Sequence, residues 1–273
     1  MNNLLVSIIM PVYNAEKWLS VAINSALGQS YSNLELLVIN DGSSDSSREI
    51  VQSFKDPRII YFENKENQGV SATRNVGMRN MNGDFFCFLD ADDFLPENSI
   101  KSRIEILLNN PEADFADGTV LRMDESLEKT ESVYKPNFKG NPLKELILIK
   151  DSCFFGLSWM IRRKKDQQYA FDTEMTHGED LWFYITIANR GLYLYTDEVV
   201  LKYRQGAEHA MSNLDGLSKG YHQLFSRIVS LSILSLKQRI FLYLKIKKIM
   251  GLSYLANHQV IKAFIYLLKP GLS

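Results

Sequence analysis

The sequence is poor in cysteine, in long apolar runs and in net charge, and each shortage excludes a class of protein. Its 273 residues include two cysteines, Cys87 and Cys153, whose positions show no metal-ligand spacing, so neither a disulfide scaffold nor a zinc module is expected. No apolar run approaches the ~20 residues that a membrane span needs, and no basic, signal-like segment stands at the start. We therefore expect a cytoplasmic protein with reduced thiols.

The formal net charge of −1 hides an uneven distribution of charge along the chain. Residues 213–273 contain nine lysines and arginines but a single acidic residue, Asp215. The first 212 residues contain 22 basic and 31 acidic residues. This split predicts an acidic body over 1–212 and a basic helical region over 213–273.

The first half of the chain alternates short apolar strands with amphipathic helices. Strands are predicted at Leu4 to Met10, Leu34 to Ile39, Ile59 to Phe62 and in the run that ends at Asp90. This alternation is typical of an α/β protein with a mainly parallel sheet flanked by helices. Ser46 and Glu49 predict a capping box on the second helix. After Ala113 the pattern is less regular, with a charged loop predicted over Met123 to Asn141 and a last strand over Val199 to Tyr203, and beyond Asn213 it is helical.

The most informative stretch is Phe85 to Pro96, in which an apolar strand runs into three carboxylates. Asp90, Asp92 and Asp93 would lie at the carboxyl edge of the sheet, where open α/β sheets bind their ligands. Carboxylates two residues apart repel each other, and Mg²⁺ relieves this because it binds one or two carboxylates together with substrate phosphates. The alternative is a solvated acidic turn, since Pro96 suits the first turn of a helix.

Other candidate residues lie after the remaining strands and at helix starts. Tyr13 either stacks on a flat ring or covers the sheet edge, and Asp41 either binds a ligand or shapes its Asp-Gly turn. Arg74 either reaches a phosphate or forms a surface ion pair. Glu179 and Asp180 occupy a first helical turn, where the dipole favours ionised carboxylates. Asp180 is thus either a general base or a helix-start charge.

Four motifs together resemble the family 2 glycosyltransferases, in order and in spacing. They are Ser7-Ile-Ile-Met-Pro-Val-Tyr-Asn14, Val38-Ile-Asn-Asp-Gly-Ser-Ser-Asp45, Asn67-Gln-Gly-Val-Ser-Ala-Thr-Arg-Asn75 and Phe88-Leu-Asp-Ala-Asp-Asp93. They cover about the first hundred residues, and Gly178-Glu-Asp-Leu181 resembles the downstream acidic motif of the family. Each motif alone is weak, but the set is specific.

The resemblance implies a GT-A nucleotide-diphospho-sugar transferase fold over 1–212, with a nucleotide-binding half over about 1–110 and an acceptor half over about 111–212. It also implies an inverting transfer of one sugar from a nucleotide-diphosphate sugar, a UDP-sugar, to a hydroxyl group in the assembly of cell-surface polysaccharide. The partners implied are that donor and a saccharide or lipid-linked acceptor. The implied cofactor is Mg²⁺ or Mn²⁺.

The resemblance also assigns roles to individual residues. Asp180 would be the catalytic base that removes the proton of the acceptor hydroxyl, and Asp92 and His209 would hold the metal ion. The nucleotide-sugar site would comprise Pro11, Tyr13, Asn14, Asp41, Arg74, Asp90 and Asp92.

One family motif is absent, and its absence bears on processivity. Processive synthases carry a Gln/Arg-x-x-Arg-Trp motif, whereas the corresponding Tyr203-Arg-Gln-Gly-Ala-Glu-His209 has no tryptophan. We therefore expect addition of a single sugar. Tyr203, Arg204 and His209 resemble the segment that non-processive members use as a mobile lid, and the alternative for His209 is an exposed loop residue.

The basic region over 213–273 allows three interpretations. Its helices either contact an anionic membrane surface, pack on the catalytic domain or form a homodimer interface. No nucleic-acid-binding module is recognisable, so nucleic acid is not expected as a partner.

Two rival functions remain beside the transferase. A sugar-nucleotide nucleotidyltransferase would carry a glycine-rich, basic loop after the first strand, and Pro11-Val-Tyr-Asn14 does not resemble one. A non-catalytic binding relative would not need Asp92 and Asp180. A dinucleotide oxidoreductase is disfavoured because no Gly-x-Gly-x-x-Gly follows a strand.

Overall fold

Eight strands form one sheet in the computed structural model, which describes residues 4–206 and 213–268. The strands are β1 (Val6–Val12), β2 (Leu34–Asn40), β3 (Ile59–Glu63), β4 (Phe85–Phe88), β5 (Ala113–Met123), β6 (Thr130–Tyr134), β7 (Met160–Arg162) and β8 (Leu192–Arg204). Their order is β3-β2-β1-β4-β7-β5-β6, with β8 also paired to β5.

The first four strands form the parallel part of the sheet, as the alternating sequence pattern predicts. β1 pairs in parallel with both β2 and β4, and β2 pairs in parallel with β3. Beyond β4 the sheet is mixed, because β7 is antiparallel to β4 and β5, whereas β8 runs parallel to β5. The carboxyl ends of β1, β2 and β4 therefore meet at one edge.

Helices cover both faces of this sheet. They are α1 (Leu19–Leu27), α2 (Ser47–Ser53), α3 (Val70–Asn80), α4 (Ser99–Asn109), α5 (Leu143–Ile147), α6 (Glu179–Ile187), α7 (Leu214–Ser230), α8 (Leu236–Ala256) and α9 (Val260–Leu268). Successive side chains of a strand point to opposite faces, so Ile8 packs in a cluster with Ile23 of α1 and Ile104 of α4. Ile9 packs on the other face with Met78 of α3.

The basic C-terminal region packs against the α/β body along α7 and the first part of α8. Leu224 and Ile228 of α7, and Leu242 and Ile246 of α8, belong to the same buried cluster as Phe183. These helices therefore pack on the body, which is one of the three interpretations of this region. None of the described helices has the length and hydropathy that crossing a bilayer requires.

Several local predictions differ from the structure. Ser46 precedes α2 but its side chain forms no cap, and the capping box lies instead at Ser235 and Gln238, at the start of α8. β6 lies within a segment for which a loop was expected, and β8 begins at Leu192, seven residues before the expected Val199. Both differences concern strands whose residues are partly exposed and so lack a strong apolar pattern.

Gly77 permits the close approach of α3 to the sheet. A Cβ atom at this position would lie 2.5 Å from Cγ2 of Ile9 and 3.0 Å from Cδ1 of Ile39, and both isoleucines are fully buried. We expect Gly77→Val to lower the free energy of unfolding by about 2–3 kcal/mol, because the buried side chains cannot move aside without strain. Urea titration measures this change. Arg79→Val introduces the same residue at an exposed position of α3 and should cost less than about 1 kcal/mol; equal losses would contradict the packing argument.

Candidate active site

A cleft of about 1110 Å³ lies at the edge where β1, β2 and β4 end. Its walls come from the loops after these strands, from the start of α6 and from one side of α7. All the predicted site residues that the structure describes line this cleft: Pro11, Tyr13, Asn14, Asp41, Arg74, Asp90, Asp92 and Asp180. Residues far apart in sequence are thus brought to one site, while their individual roles stay predictions.

Asp41 holds the loop that follows β3. Its Oδ1 accepts the side-chain amide of Asn64 at 2.8 Å and the backbone N–H of Gln68 at 3.0 Å, and its Oδ2 accepts the N–H of Gly69 at 2.9 Å. Gly69 has a φ of 87°, a conformation that favours glycine. Besides shaping its own Asp-Gly turn, Asp41 therefore fixes the loop after β3 where that loop lines the cleft.

Asn14 joins the loops after β1 and β2. Its Oδ1 accepts the backbone N–H of Ser44 at 2.9 Å, and its own N–H donates to Oγ of Ser43 at 3.0 Å. The φ of 47° at Asn14 turns the chain sharply at the end of β1. This turn leaves the neighbouring Tyr13 half exposed at the mouth of the cleft, with 50% of its surface accessible.

Arg74 lies between two acidic groups at the centre of the cleft. Its Nη2 donates to Oδ1 of Asp90 at 2.8 Å, and its Nη1 to Oε1 of Glu179 at 3.3 Å. Burial alone would lower the pKa of Arg74, but the two carboxylates outweigh burial and raise it. A permanent, buried cation therefore joins the acidic run after β4 to the first turn of α6.

The three carboxylates after β4 have different environments. Asp93 is buried and its Oδ1 accepts the backbone N–H of Arg204 at 2.9 Å, so it ties this loop to the end of β8. Burial and the charges of Asp92 and Asp90 raise the pKa of Asp93 well above its ordinary value. Asp92 and Asp90 line the cleft and are half-buried. Of the three, Asp93 is thus the structural group.

Arg204 is fixed at the end of β8. Its Nε donates to the backbone carbonyl of Asp92 at 2.6 Å, and its guanidinium stacks over the ring of Trp18 at 3.9 Å. Tyr203 and Arg204, which resemble the start of a family lid, belong here to the strand itself. His209, the second predicted metal ligand, lies outside the described residues.

Asp180 lines the same cleft from the first turn of α6. Gly178 precedes α6 with a φ of 73°, which turns the chain so that the first turn of the helix faces the cleft. Burial, and next the charge of Glu179, raise the pKa of Asp180 to about 7, against the lowering effects of the Leu181 N–H and of Arg74. A carboxylate with such a pKa binds a proton far more strongly than an ordinary aspartate does.

Part of the cleft wall was not predicted from the sequence. Leu217, Tyr221 and Leu224 of α7 face the cleft beside the start of α6. Burial, and next the charge of Asp180, raise the pKa of Tyr221 to about 12, so the phenol stays protonated near Asp180. Phe154, whose ring contacts Tyr184 of α6, and Phe155, whose ring contacts Tyr203 of β8, also line the cleft. Apolar side chains of α7 and of the segment before β7 therefore form part of the cleft wall.

The described residues include no group of three or more histidine, cysteine, aspartate or glutamate side chains arranged to hold a metal ion. Protein side chains alone therefore do not build a complete coordination shell in the described ranges. The donor set that faces the cleft consists of carboxylate oxygens, which suit a hard divalent cation whose remaining ligands are phosphates and water.

Solved structures with a similar backbone define the class of fold. The S. aureus TarS fragment 1–349 in complex with UDP-GlcNAc superposes with a TM-score of 0.66 and 16% identity, over 95% of this chain and 89% of that chain. The mannosyltransferase PcManGT from Pyrobaculum calidifontis, in complex with GDP-Man and Mn²⁺, gives a TM-score of 0.64 and 16% identity, over 97% and 75%. The fold is the GT-A fold expected from the sequence.

The family follows from sequence comparison. The family model "Glycosyl transferase family 2" matches residues 7–170. The glycosyltransferase RP339 of Rickettsia prowazekii is 35% identical over 234 residues, which are 81% of this chain and 70% of that protein. This chain belongs to glycosyl transferase family 2.

A further relative carries a specific name. The Escherichia coli UDP-Glc:alpha-D-GlcNAc-diphosphoundecaprenol beta-1,3-glucosyltransferase WfgD is 44% identical over 110 residues, which are 40% of this chain and 44% of that protein. The chain spans less than half the length of several relatives, including 45% of a Haemophilus influenzae glycosyltransferase and 32% of one from Rickettsia bellii.

Proposed function

We propose that this protein is an inverting, non-processive glycosyltransferase that moves one sugar from a UDP-sugar to a hydroxyl group of a lipid-linked saccharide during assembly of cell-surface polysaccharide. The observation that carries the proposal is one cleft lined by two acidic groups, Asp90 and Asp92 after β4 and Glu179 and Asp180 at the start of α6, with Arg74 paired to one carboxylate of each group. The similarity to WfgD supports the choice of a UDP-sugar and of a lipid-linked acceptor.

Asp180 would act as the general base. Its raised pKa of about 7 makes it a better proton acceptor than an ordinary aspartate, and a base works best when its pKa lies near the working pH. Inversion requires the acceptor oxygen to approach the sugar from the side opposite the leaving group. Asp180 lines the same cleft as Asp90 and Asp92 but belongs to a different element, the start of α6, from which it would take the proton of the approaching acceptor oxygen.

Asp90 and Asp92 would hold the donor. The departing nucleoside diphosphate gains negative charge as the glycosidic bond breaks, and groups that stabilise this charge lower the barrier. Asp92 is the residue we assign to Mg²⁺ or Mn²⁺, which supplies charge stabilisation at the diphosphate when bound. Asp90 is held by Arg74 in a fixed orientation, from which it would contact the ribose. Pro11, Tyr13 and Asp41 would surround the base.

The test of this proposal is metal-dependent nucleotide binding. We expect Mn²⁺ to strengthen the binding of UDP by at least about tenfold, and Asp92→Asn to remove most of that gain because one ionised metal ligand is lost. Calorimetric titration with and without Mn²⁺ measures both effects. Asp166→Asn removes an exposed carboxylate that does not line the cleft and should behave as the parent does.

Either of two results would refute the assignment. The first is an equal Mn²⁺ effect in Asp92→Asn and in the parent. The second is a screen of nucleotide sugars with Mn²⁺ in which none releases UDP, since even slow hydrolysis of the donor should release UDP.

A further inference from the structure

The outer surface of α8 and α9 carries an apolar face that the rest of the described protein leaves uncovered. On α8, residues 237, 241, 244, 248, 252 and 255 recur at helical spacing and share one side of the helix. All six are exposed: Lys237, Phe241, Leu244, Lys248, Leu252 and Leu255. Two lysines thus lie within a stripe of four large apolar side chains.

Helix α9 also carries an exposed apolar side. Its one buried side chain, Ala263, packs toward Tyr254 and Met250 of α8. The opposite side of α9 exposes four large apolar residues, with Ile261 at 77% and Leu268 at 76% accessible, and Phe264 and Ile265 between them. A water-facing helix would carry polar groups here, so this face indicates a binding partner.

A groove joins the two helices through Leu267 of α9. An open groove of about 310 Å³ is lined by Leu244, Lys248, Leu252 and Leu255 of α8 and by Leu267 of α9. Lys247 fixes the arrangement from inside, since it is 5% exposed and its Nζ donates to the backbone carbonyl of Tyr266 at 2.6 Å. We call the surface made by the α8 stripe and the four outward residues of α9 the α8–α9 face.

The charge around the α8–α9 face is of one sign. From residue 216 to the end of the chain there is no acidic residue, and Asp215, which forms a 3.6 Å ion pair with Lys262, is the only one after 212. A surface in contact with water tolerates both signs of charge. Exclusion of acidic groups over such a length matches a partner that is itself negatively charged.

We propose that the α8–α9 face binds the surface of a bilayer that contains anionic phospholipids. The four outward residues of α9 and the apolar residues of the stripe would enter the boundary between head groups and acyl chains, while Lys237 and Lys248 would contact the anionic head groups. With 21 residues, α8 is about 32 Å long and would lie in the plane of the membrane.

A second copy of this chain fits the same face less well. In a symmetric dimer the same patch meets itself, so the lysines of both copies would be brought into one interface. No acidic residue of the face is available to neutralise them, and like charges in contact are destabilising. An anionic bilayer satisfies the apolar and the basic residues together.

The position of α7 relates this surface to the cleft. Helix α7 packs on α8 and also lines the cleft through Leu217, Tyr221 and Leu224. Membrane binding through α8 would therefore hold the α7 wall of the cleft on the side of the bilayer, where a lipid-linked acceptor would be found. This last step rests on the proposed function, whereas binding of the α8–α9 face to lipid does not.

Co-sedimentation of the full chain with vesicles tests the proposal. We expect binding to vesicles of phosphatidylcholine mixed with phosphatidylglycerol, weaker binding at high salt, and little binding to phosphatidylcholine alone. Lys237→Glu combined with Lys248→Glu should lower the affinity at least about tenfold, as should Phe264→Ser combined with Ile261→Ser. Lys101→Glu and Val133→Ser change an exposed lysine and an exposed valine elsewhere and should bind as the parent does.

The opposite results are equally clear. Failure of the parent to bind the phosphatidylglycerol vesicles, or equal binding by the charge-reversed variant, would overturn the proposal. Light scattering that shows a dimer which Phe264→Ser separates into monomers would overturn it too, because a second copy would then occupy the face. Vesicle binding needs no nucleotide sugar, so its outcome is independent of the transferase test.

Discussion

Asp180→Asn should abolish sugar transfer while UDP affinity stays within about threefold of the parent. The amide cannot accept the proton of the acceptor hydroxyl, so we expect a loss of about 10³-fold or more in the rate of transfer, the scale typical of general-base removal. The UDP affinity should persist because Asp180 belongs to the start of α6 and not to the loops after β1, β2 and β4, which would hold the nucleotide. Single-turnover transfer and calorimetry with UDP measure the two effects separately.

Glu179→Gln is the matched control for this variant. It removes one carboxylate from the same helical turn, and it should retain most of the turnover because Glu179 pairs with Arg74 instead of serving as the base. Turnover of Asp180→Asn comparable to that of the parent would remove Asp180 from the mechanism. Equal losses in the two variants would mean that the turn as a whole, and no single base, is required.

Asp180→Asn should also make the protein more stable at neutral pH. The pKa of Asp180 is raised from its ordinary value of 3.8 to about 7, so the folded state binds the proton more tightly than the unfolded chain does. Stability is therefore lost as the pH rises between these two values, and the loss is complete above about 7. Asparagine does not ionise and avoids this cost, so Asp180→Asn should melt a few degrees higher than the parent at pH 8.

The sequence predicts the first half of the molecule well because its signals are local. The apolar run before Asp90 and Asp92 predicts both where the strand ends and where the carboxylates lie. The parallel register of β1, β2 and β4 then follows from the alternating pattern, and it brings the three loops to one edge. The shared cleft is the geometric consequence of that register.

Sequence patterns do not predict the contacts between distant segments. Tyr221 approaches Asp180 only because α7 packs beside α6, across 41 residues of chain. Asp41 binds Gln68 and Gly69 through a loop whose path no periodicity describes. The pairing of Arg74 with both Asp90 and Glu179 likewise depends on the fold as a whole.

The basic region shows the limit of charge patterns. Lys245, Lys247 and Lys248 are nearly adjacent, and their composition suggests a single basic surface. In the structure Lys247 is buried, and burial lowers the pKa of Lys245, which lies near Asp151 and Glu145 of the body. Only Lys248 of the three belongs to the exposed stripe. The position of each lysine around α8 determines whether it is exposed. The sequence alone does not show which side of α8 packs against the body.

Arg74→Met should cause the second large loss, of about 10²-fold in kcat/KM near neutral pH, because it leaves Asp90 and Glu179 without their shared partner. The charge of Arg74 also lowers the pKa of Asp180, so its removal should move the acidic limb of the pH–rate profile upward from about 7. Glu179 acts in the opposite sense, and Glu179→Gln should therefore move the same limb downward.

These opposite shifts separate an electrostatic role of Arg74 from a purely structural one. A variant that had only lost stability would show a lower fraction of active enzyme with an unchanged midpoint, since the surviving molecules would keep the parent environment of Asp180. A shift of one pKa unit changes the ionised fraction of the base about tenfold at a pH below the midpoint, which is easily measured. If both variants kept the parent midpoint, the titrating group would have to be some residue other than Asp180, and the assignment of the base to the first turn of α6 would be wrong.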